Sequence, residues 1–255
     1  MGWAAFFPLV ALFLLLASPG PLEAKLADLL RGVCAQRPEH ALGFAGGMVV
    51  LEARMLGIFV GFAVGVVSSW SRGHWRRAEL PRGLTGIVLC LGIAIMGADG
   101  VNAALYDLGQ PHLYAPRNDL RLGTGLLCGL GMAAFVAPMV SFVLWRHRTP
   151  VPLYDTWRDL AWGIGWIAVA GLTIGSGLAP SLVIGIIAAL AVIGSFWLVS
   201  TYVAVLAWTG PGQADGWPDL GRLAAAGFIL TLMELFAMSA LRTWMETSLG
   251  LAWLV

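Results

Sequence analysis

The sequence predicts an all-α fold, a polytopic transmembrane helix bundle of about seven spans forming a single integral membrane domain over residues 1–255. Three observations predict it. Hydrophobic residues make up 59% of the chain and charged residues 11%, against roughly 25% charged in ordinary soluble domains. Mean hydropathy is +0.82, and a soluble core of this size could not bury so much apolar side chain. The apolar residues also fall in runs of about 20, the length a helix needs to cross a bilayer. Such runs are too long and too uniform for barrel strands, which alternate over about ten residues. The same composition excludes disorder, which needs low hydrophobicity and high charge. A formal net charge of +1, with no basic face able to track phosphates, excludes a nucleic-acid binder.

In chain order, spans are expected at about 3–18, 46–68, 83–105, 121–144, 160–179, 182–208 and 221–241. The first run, Trp3 to Ala17, is followed by Ser18, Pro19 and Gly20, as a secretory signal would be. No Lys or Arg precedes it, however, and a signal peptide has a basic n-region, so a retained first helix is expected. Residues 21–35 read as a short external amphipathic helix. Pro21 suits its first turn, and Leu22, Leu26, Leu29 and Leu30 recur at helical spacing, a pattern that lies in the membrane interface. Small residues repeat every four positions on three spans: Gly57, Gly61 and Gly65; Gly125 and Gly129; Gly171, Gly175 and Ala179. Such stripes let helix backbones approach closely. None is a phosphate loop, because no strand–turn–helix context surrounds it. Residues 106–120 form a polar, proline-punctuated loop. Trp70, Trp145, Trp162, Trp208 and Trp244 sit near span ends, as interfacial belts do.

Arginine placement sets the expected orientation. Arg72, Arg76, Arg77 and Arg82 fall in the 69–82 connection, and Arg146, Arg148 and Arg158 in 145–158. Short basic loops stay in the cytoplasm, which puts the N-terminus inside and the C-terminus outside. The other side carries Lys25, Arg31, Arg37, Arg117, Arg121 and Arg242, so the bias is incomplete. The expected location is the cytoplasmic membrane of a prokaryote.

Charge inside a span costs a few kcal/mol and often marks function. Glu52, Arg54, Asp99 and Glu234 qualify. Glu52 and Arg54, two residues apart, point to nearly opposite faces and make poor partners. An Arg54–Asp99 pair between the second and third spans is expected instead, serving either helix register or a working site. Glu234 lies deep in the last span, with Arg242 too far along the helix for a direct bond; it reads as a neutral hydrogen-bonding acid or a proton relay. Cys34, Glu39 and His40 are the one group with metal-ligand chemistry, but they lack a second Cys or His at zinc spacing, so no metal is assigned. Cys34, Cys90 and Cys128 form neither a CxxC pair nor an even disulfide framework. His74 and His147 read as solvated among arginines, and His112 as a loop residue without a visible partner. Nothing resembles a nucleophile elbow or a Ser/His/Asp arrangement, and no cofactor is assigned.

Four elements together resemble a family of predicted prokaryotic membrane proteins, the one catalogued as domain of unknown function 2085. They are Cys34-Ala-Gln-Arg-Pro38-Glu-His40, Glu52-Ala-Arg54-Met-Leu-Gly57-Ile-Phe59, Asp99-Gly100, and Asn118-Asp-Leu-Arg121-Leu-Gly-Thr-Gly125, in order over about residues 25–140. The resemblance implies a membrane fold and groups Arg54, Gly57, Asp99, Gly100, Asn118, Arg121 and Gly125 as a shared polar cluster and scaffold. It also marks departures. Ala35 stands where the family has His, Glu52 where it has Cys, and Met55 at a position that is sometimes a second Cys. A metal set built on those positions is therefore eroded in this chain, and the family supplies no activity to transfer.

The candidate polar cluster is Cys34, His40, Glu52, Arg54, Asp99, Asn118 and Arg121, with Glu234 as a separate intramembrane acid. Packing glycines, few catalytic groups and eroded ligands favour a non-catalytic accessory or scaffold subunit of a membrane complex. Its partners would be membrane lipids and other membrane subunits. The alternatives are a small transporter or ion-coupled carrier using intramembrane carboxylates, and an integral membrane enzyme with a polar site on the external face.

Overall fold

The computed structural model describes residues 19–212 and 214–248. The expected first span at 3–18 lies outside the described residues. The bundle is built from helices α1 (Leu22–Leu30), α2 (Ala53–Trp70), α3 (Gly83–Asp107), α4 (Asn118–Leu144), α5 (Trp157–Gly175), α6 (Ser181–Trp208) and α7 (Leu220–Ser248). Four short strands accompany them: β1 (Ala41–Phe44), β2 (Gly47–Glu52), β3 (Arg77–Glu79) and β4 (Thr149–Pro152).

Among the described residues, five helices are long and apolar enough to cross a membrane: α2, α3, α4, α6, and the last, which runs Trp217–Ser248 with its preceding turn. The expected 160–179 span is α5, Trp157–Gly175, which falls outside that set. Its first turn spends length on Arg158 and on the buried Asp159, so its apolar stretch is shorter than a bilayer asks. The expected 46–68 span begins later than expected. Residues 47–52 pair with β1 as an antiparallel hairpin, in the register Ala41↔Glu52 and Phe44↔Gly47. The reversal uses Gly46 and Gly47 at φ +95° and +147°, a conformation closed to most side chains. An apolar run alone does not separate a strand from the start of a helix, and here the glycine pair decides. Glu52 consequently sits at the strand–helix junction and not inside a span.

The core is the α2–α4 seam. A Cβ added to Gly57 would stand 2.5 Å from the Leu122 carbonyl oxygen, and one on Gly125 2.5 Å from that of Arg54. Gly61 and Gly129 are equally closed, against Leu126 and Ile58. Backbone lies against backbone over two helical turns, the geometry small-residue stripes permit. The third stripe does not behave this way: Gly175 faces open space, and Gly171 touches only a Leu126 methyl group. α3 packs on the outer side of α4, and α6 on α2 and α4, while α7 contacts α6 and α1. α1 is shorter than the expected 21–35, and its Leu26 and Leu30 are buried against α6, α7 and β2 rather than laid in the interface.

Successive long helices alternate in direction, so the connections gather at two ends. One end holds the β1–β2 hairpin, residues 108–117 and residues 176–180, joined where Ser181 N–H donates to the Ala45 carbonyl. The other holds 71–82, 145–156 and 209–219. There β3 pairs in parallel with β4, and Trp70, Trp75, Trp145 and Trp217 pack together with ring centroids 4.8–6.0 Å apart. Trp145 is buried. Trp70 and Trp145 thus pack into a tryptophan cluster at this end of the bundle, whereas Trp162, Trp208 and Trp244 are exposed.

Candidate functional site

The polar side chains of the hairpin end form one connected network. Its centre is Asp99, on the inner face of α3 and 2% exposed. Arg54, in the first turn of α2, donates from Nη2 to Asp99 Oδ2 at 2.6 Å and to its carbonyl at 3.3 Å. Tyr114, in the α3–α4 loop, donates its hydroxyl to Oδ1 at 2.6 Å, and Thr124 of α4 donates to Oδ2 at 3.3 Å. Three elements are therefore tied to one carboxylate. The bond to Asp99 is the largest influence holding the Tyr114 hydroxyl above its ordinary pKa, because it favours the protonated phenol.

One turn further on α3, Asn102 accepts from the backbone N–H of Leu113 and Tyr114 and donates to the Tyr114 carbonyl at 2.9 Å. It lies three residues after Asp99, on the same helix face. Asn118 opens α4 and donates to the carbonyls of Glu39 and Ala41 at 3.0 and 2.9 Å, so it fastens α4 to the hairpin. Arg121 donates to Asn118 Oδ1 at 3.1 Å and is buried within electrostatic reach of Arg54, Asp107, Glu52 and Asp99.

The second carboxylate, Glu52, faces Arg37 at 3.8 Å and His40 Nδ1 at 3.5 Å. Both also face the third, Asp107, at 3.7 and 3.9 Å. His40 thus bridges two acids. Cys34 is buried beside them, and its Sγ accepts from the backbone N–H of Glu52 and Gln36 at 3.3 and 3.4 Å. Burial pushes the Cys34 thiol above its ordinary pKa, although those two N–H groups pull the other way.

The seven cluster residues therefore share one end of the bundle. Glu39, grouped with Cys34 and His40 in the sequence, is exposed and contributes its backbone carbonyl. Among the described residues, no group of three or more His, Cys, Asp or Glu could hold a metal ion. Glu234 lies apart, where Ser200 Oγ of α6 donates to it at 2.9 Å. Arg242 turns away from Glu234. It pairs with Glu246 at 2.8 Å and donates to the carbonyls of Arg31, Cys34 and Ala35, docking α7 onto the chain behind the thiol.

Several participants carry no signal in the linear sequence. Asp107, Tyr114 and Arg37 enter only because the α3–α4 loop and the hairpin fold over the same helix ends. Asn102 could have been found by its spacing from Asp99. Two histidines differ from expectation. His74 is 11% exposed and lies 3.8 Å from Asp159. Burial first, then the Arg77 charge, hold its imidazole below the ordinary pKa. Asp159 also gathers Arg72 and Arg77 at 3.4 and 3.0 Å, a second ion cluster at the opposite end. His112 does have partners, the Gln110 carbonyl at 3.1 Å and the Tyr106 ring. His147 is exposed, as expected, 3.7 Å from Asp215.

Chemically, the hairpin-end cluster holds three guanidiniums and three carboxylates in mutual contact or electrostatic range. It has no Ser–His pair and no exposed thiol. No curated protein and no solved structure matches the chain. Residues 34–135, which carry the whole polar cluster, match the family described as Predicted membrane protein (DUF2085), and over that segment the chain is similar to this family of membrane proteins.

Proposed function

We propose that the protein is a non-catalytic scaffold, an accessory subunit of a membrane complex, whose polar cluster fixes the shape of one face for a partner to dock on. One observation carries this reading. Arg54 pairs with Asp99, Arg37 faces Glu52 and Asp107, Arg121 donates to Asn118, and these bonds with those of Tyr114 and Asn118 tie the hairpin, α2, α3, α4 and the α3–α4 loop to one another. Charges spent on neighbours within the chain hold geometry; a catalytic or transport site keeps some groups free for its substrate. The loop so fixed presents Leu113, 91% exposed, and Leu108, also exposed, beyond the end of the bundle. Apolar side chains held rigid at a bundle end suit a protein contact. The reading includes a place in a prokaryotic cytoplasmic membrane. The arginine-rich 71–82 and 145–156 connections would face the cytoplasm and the cluster would face outward, in keeping with the positive-inside bias.

The test is photo-crosslinking in native membranes. p-Benzoylphenylalanine replaces Leu113 in one sample and Leu172 in another; Leu172 is an exposed apolar position along α5. The expected result is one discrete protein adduct from position 113, present in proportion to the tagged chain, and lipid adducts from position 172. Only lipid or water products at position 113 would overturn the scaffold reading.

A further inference from the structure

At the end of the bundle opposite the polar cluster, a lateral cleft of about 520 Å³ lies between α2, α4, α6 and α7. Its walls are apolar, Phe62, Val66, Val140 and Leu198 among them, and it is closed at one end by Trp70, Trp75, Trp145 and Trp217. Two wall residues, Val67 and Leu190, are each 64% exposed, so the cleft opens sideways, toward the surrounding lipid. The hydroxyls that line it ask for nothing. Ser141 donates to the Trp75 carbonyl, Ser195 to Ala191 and Thr201 to Trp197. Hydrocarbon is therefore the chemistry that suits its interior.

The closed end is different. The indole Nε1 of Trp70, a wall residue, is buried without a hydrogen-bond partner. The Arg76 guanidinium lies 4.5 and 5.3 Å from the centroids of Trp75 and Trp145, two more of the closing rings. Arg76 donates to the Asp215 carbonyl at 2.6 Å, but its Nε is buried and unpartnered, and among the described residues no carboxylate pairs with it. A hydrocarbon slot thus ends at one unpaired indole donor, and a cation without a carboxylate partner among the described residues lies against the rings that close it, next to the slot and not in its wall.

We propose that the cleft is a binding site for an anionic glycerophospholipid. One acyl chain enters between α2 and α6, the ester region meets Trp70, and the phosphate meets Arg76. Charge complementarity selects this occupant over a neutral lipid.

Gly194 supplies the test, because it lines the cleft and a Cβ built on it meets nothing within 4 Å. Gly194→Leu fills the slot without touching the core. Gly165→Leu adds the same side chain at an equally open position outside the cleft. Full-length protein is reconstituted with phosphatidylglycerol and phosphatidylcholine, stripped in detergent, and its retained lipid counted by native mass spectrometry. The expected result is one retained phosphatidylglycerol on the wild type and on Gly165→Leu, with retention at least about tenfold weaker on Gly194→Leu. Arg76→Gln reads the headgroup separately, and its preference for phosphatidylglycerol over phosphatidylcholine is expected to fall about fivefold. Equal retention by Gly194→Leu, or a wild type that carries no phospholipid, overturns the site. Unchanged preference in Arg76→Gln overturns the assignment of the phosphate, including where Gly194→Leu fails to fold.

Discussion

The Arg54–Asp99 pair shows how far single residues speak for themselves. Two opposite charges in apolar surroundings, on adjacent spans and near the same membrane depth, have strong reason to meet, and they lie 2.6 Å apart. The second and third bonds to that carboxylate were not legible, because Tyr114 and Thr124 look like any loop tyrosine and any helix threonine. Glu52 was misplaced for a related reason. Its neighbours in sequence are apolar, so it reads as a charge within a span, whereas the hairpin carries it to the bundle end beside Arg37 and His40. Cys34 yields a prediction at this scale. A buried thiol with a raised pKa is little ionised near neutral pH, and the thiolate is the reactive form. Maleimide labelling of Cys34 in folded protein at pH 7 is expected to be slow and to rise with pH well above the ordinary thiol range. Labelling should become fast at pH 7 once the chain is unfolded. Fast labelling in the folded state would mean that the thiol is open and ionised, as a working nucleophile would be.

Helix spacing made the long elements legible and their partners partly so. Four-residue glycine stripes were visible on α2, α4 and α5, yet only the first two form a backbone-to-backbone seam. A stripe reports that close approach is allowed; which helix arrives is decided by the rest of the bundle. Substitution separates the cases. Gly125→Leu must push against the Arg54 carbonyl and the Gly57 backbone, neither of which can move aside as a side chain could. Overpacking of this kind costs about 1–3 kcal/mol and more where backbone is struck, so the melting temperature is expected to fall by several degrees. Gly175→Leu, facing open space on α5, is expected to melt with the wild type. Equal melting of the two variants would remove the α2–α4 seam. The short strands were not legible for a different reason. β3 and β4 pair between segments more than 70 residues apart in sequence, and their few residues carry no alternation to detect.

For the whole molecule, composition decides the class and the ends of the bundle decide the rest. A membrane helix bundle follows from apolar content and run length alone, while the two polar ends, one around Asp99 and one around Asp159, arise only when distant connections converge. In the proposed scaffold, the Asp99 end is a clamp that keeps a docking face in one shape. Such a clamp is expressed in stability, because a buried charge left without its partner costs about 3–5 kcal/mol, whereas removing both charges costs much less. The most direct test is therefore a double-mutant cycle on the full chain in lipid nanodiscs, comparing wild type, Arg54→Met, Asp99→Leu and the double variant by thermal melting. The account predicts that each single variant melts on the order of 10 °C lower, and that the double variant recovers a clear part of that loss. Single variants that melt with the wild type would contradict it, since the charges would then be held for something other than the fold.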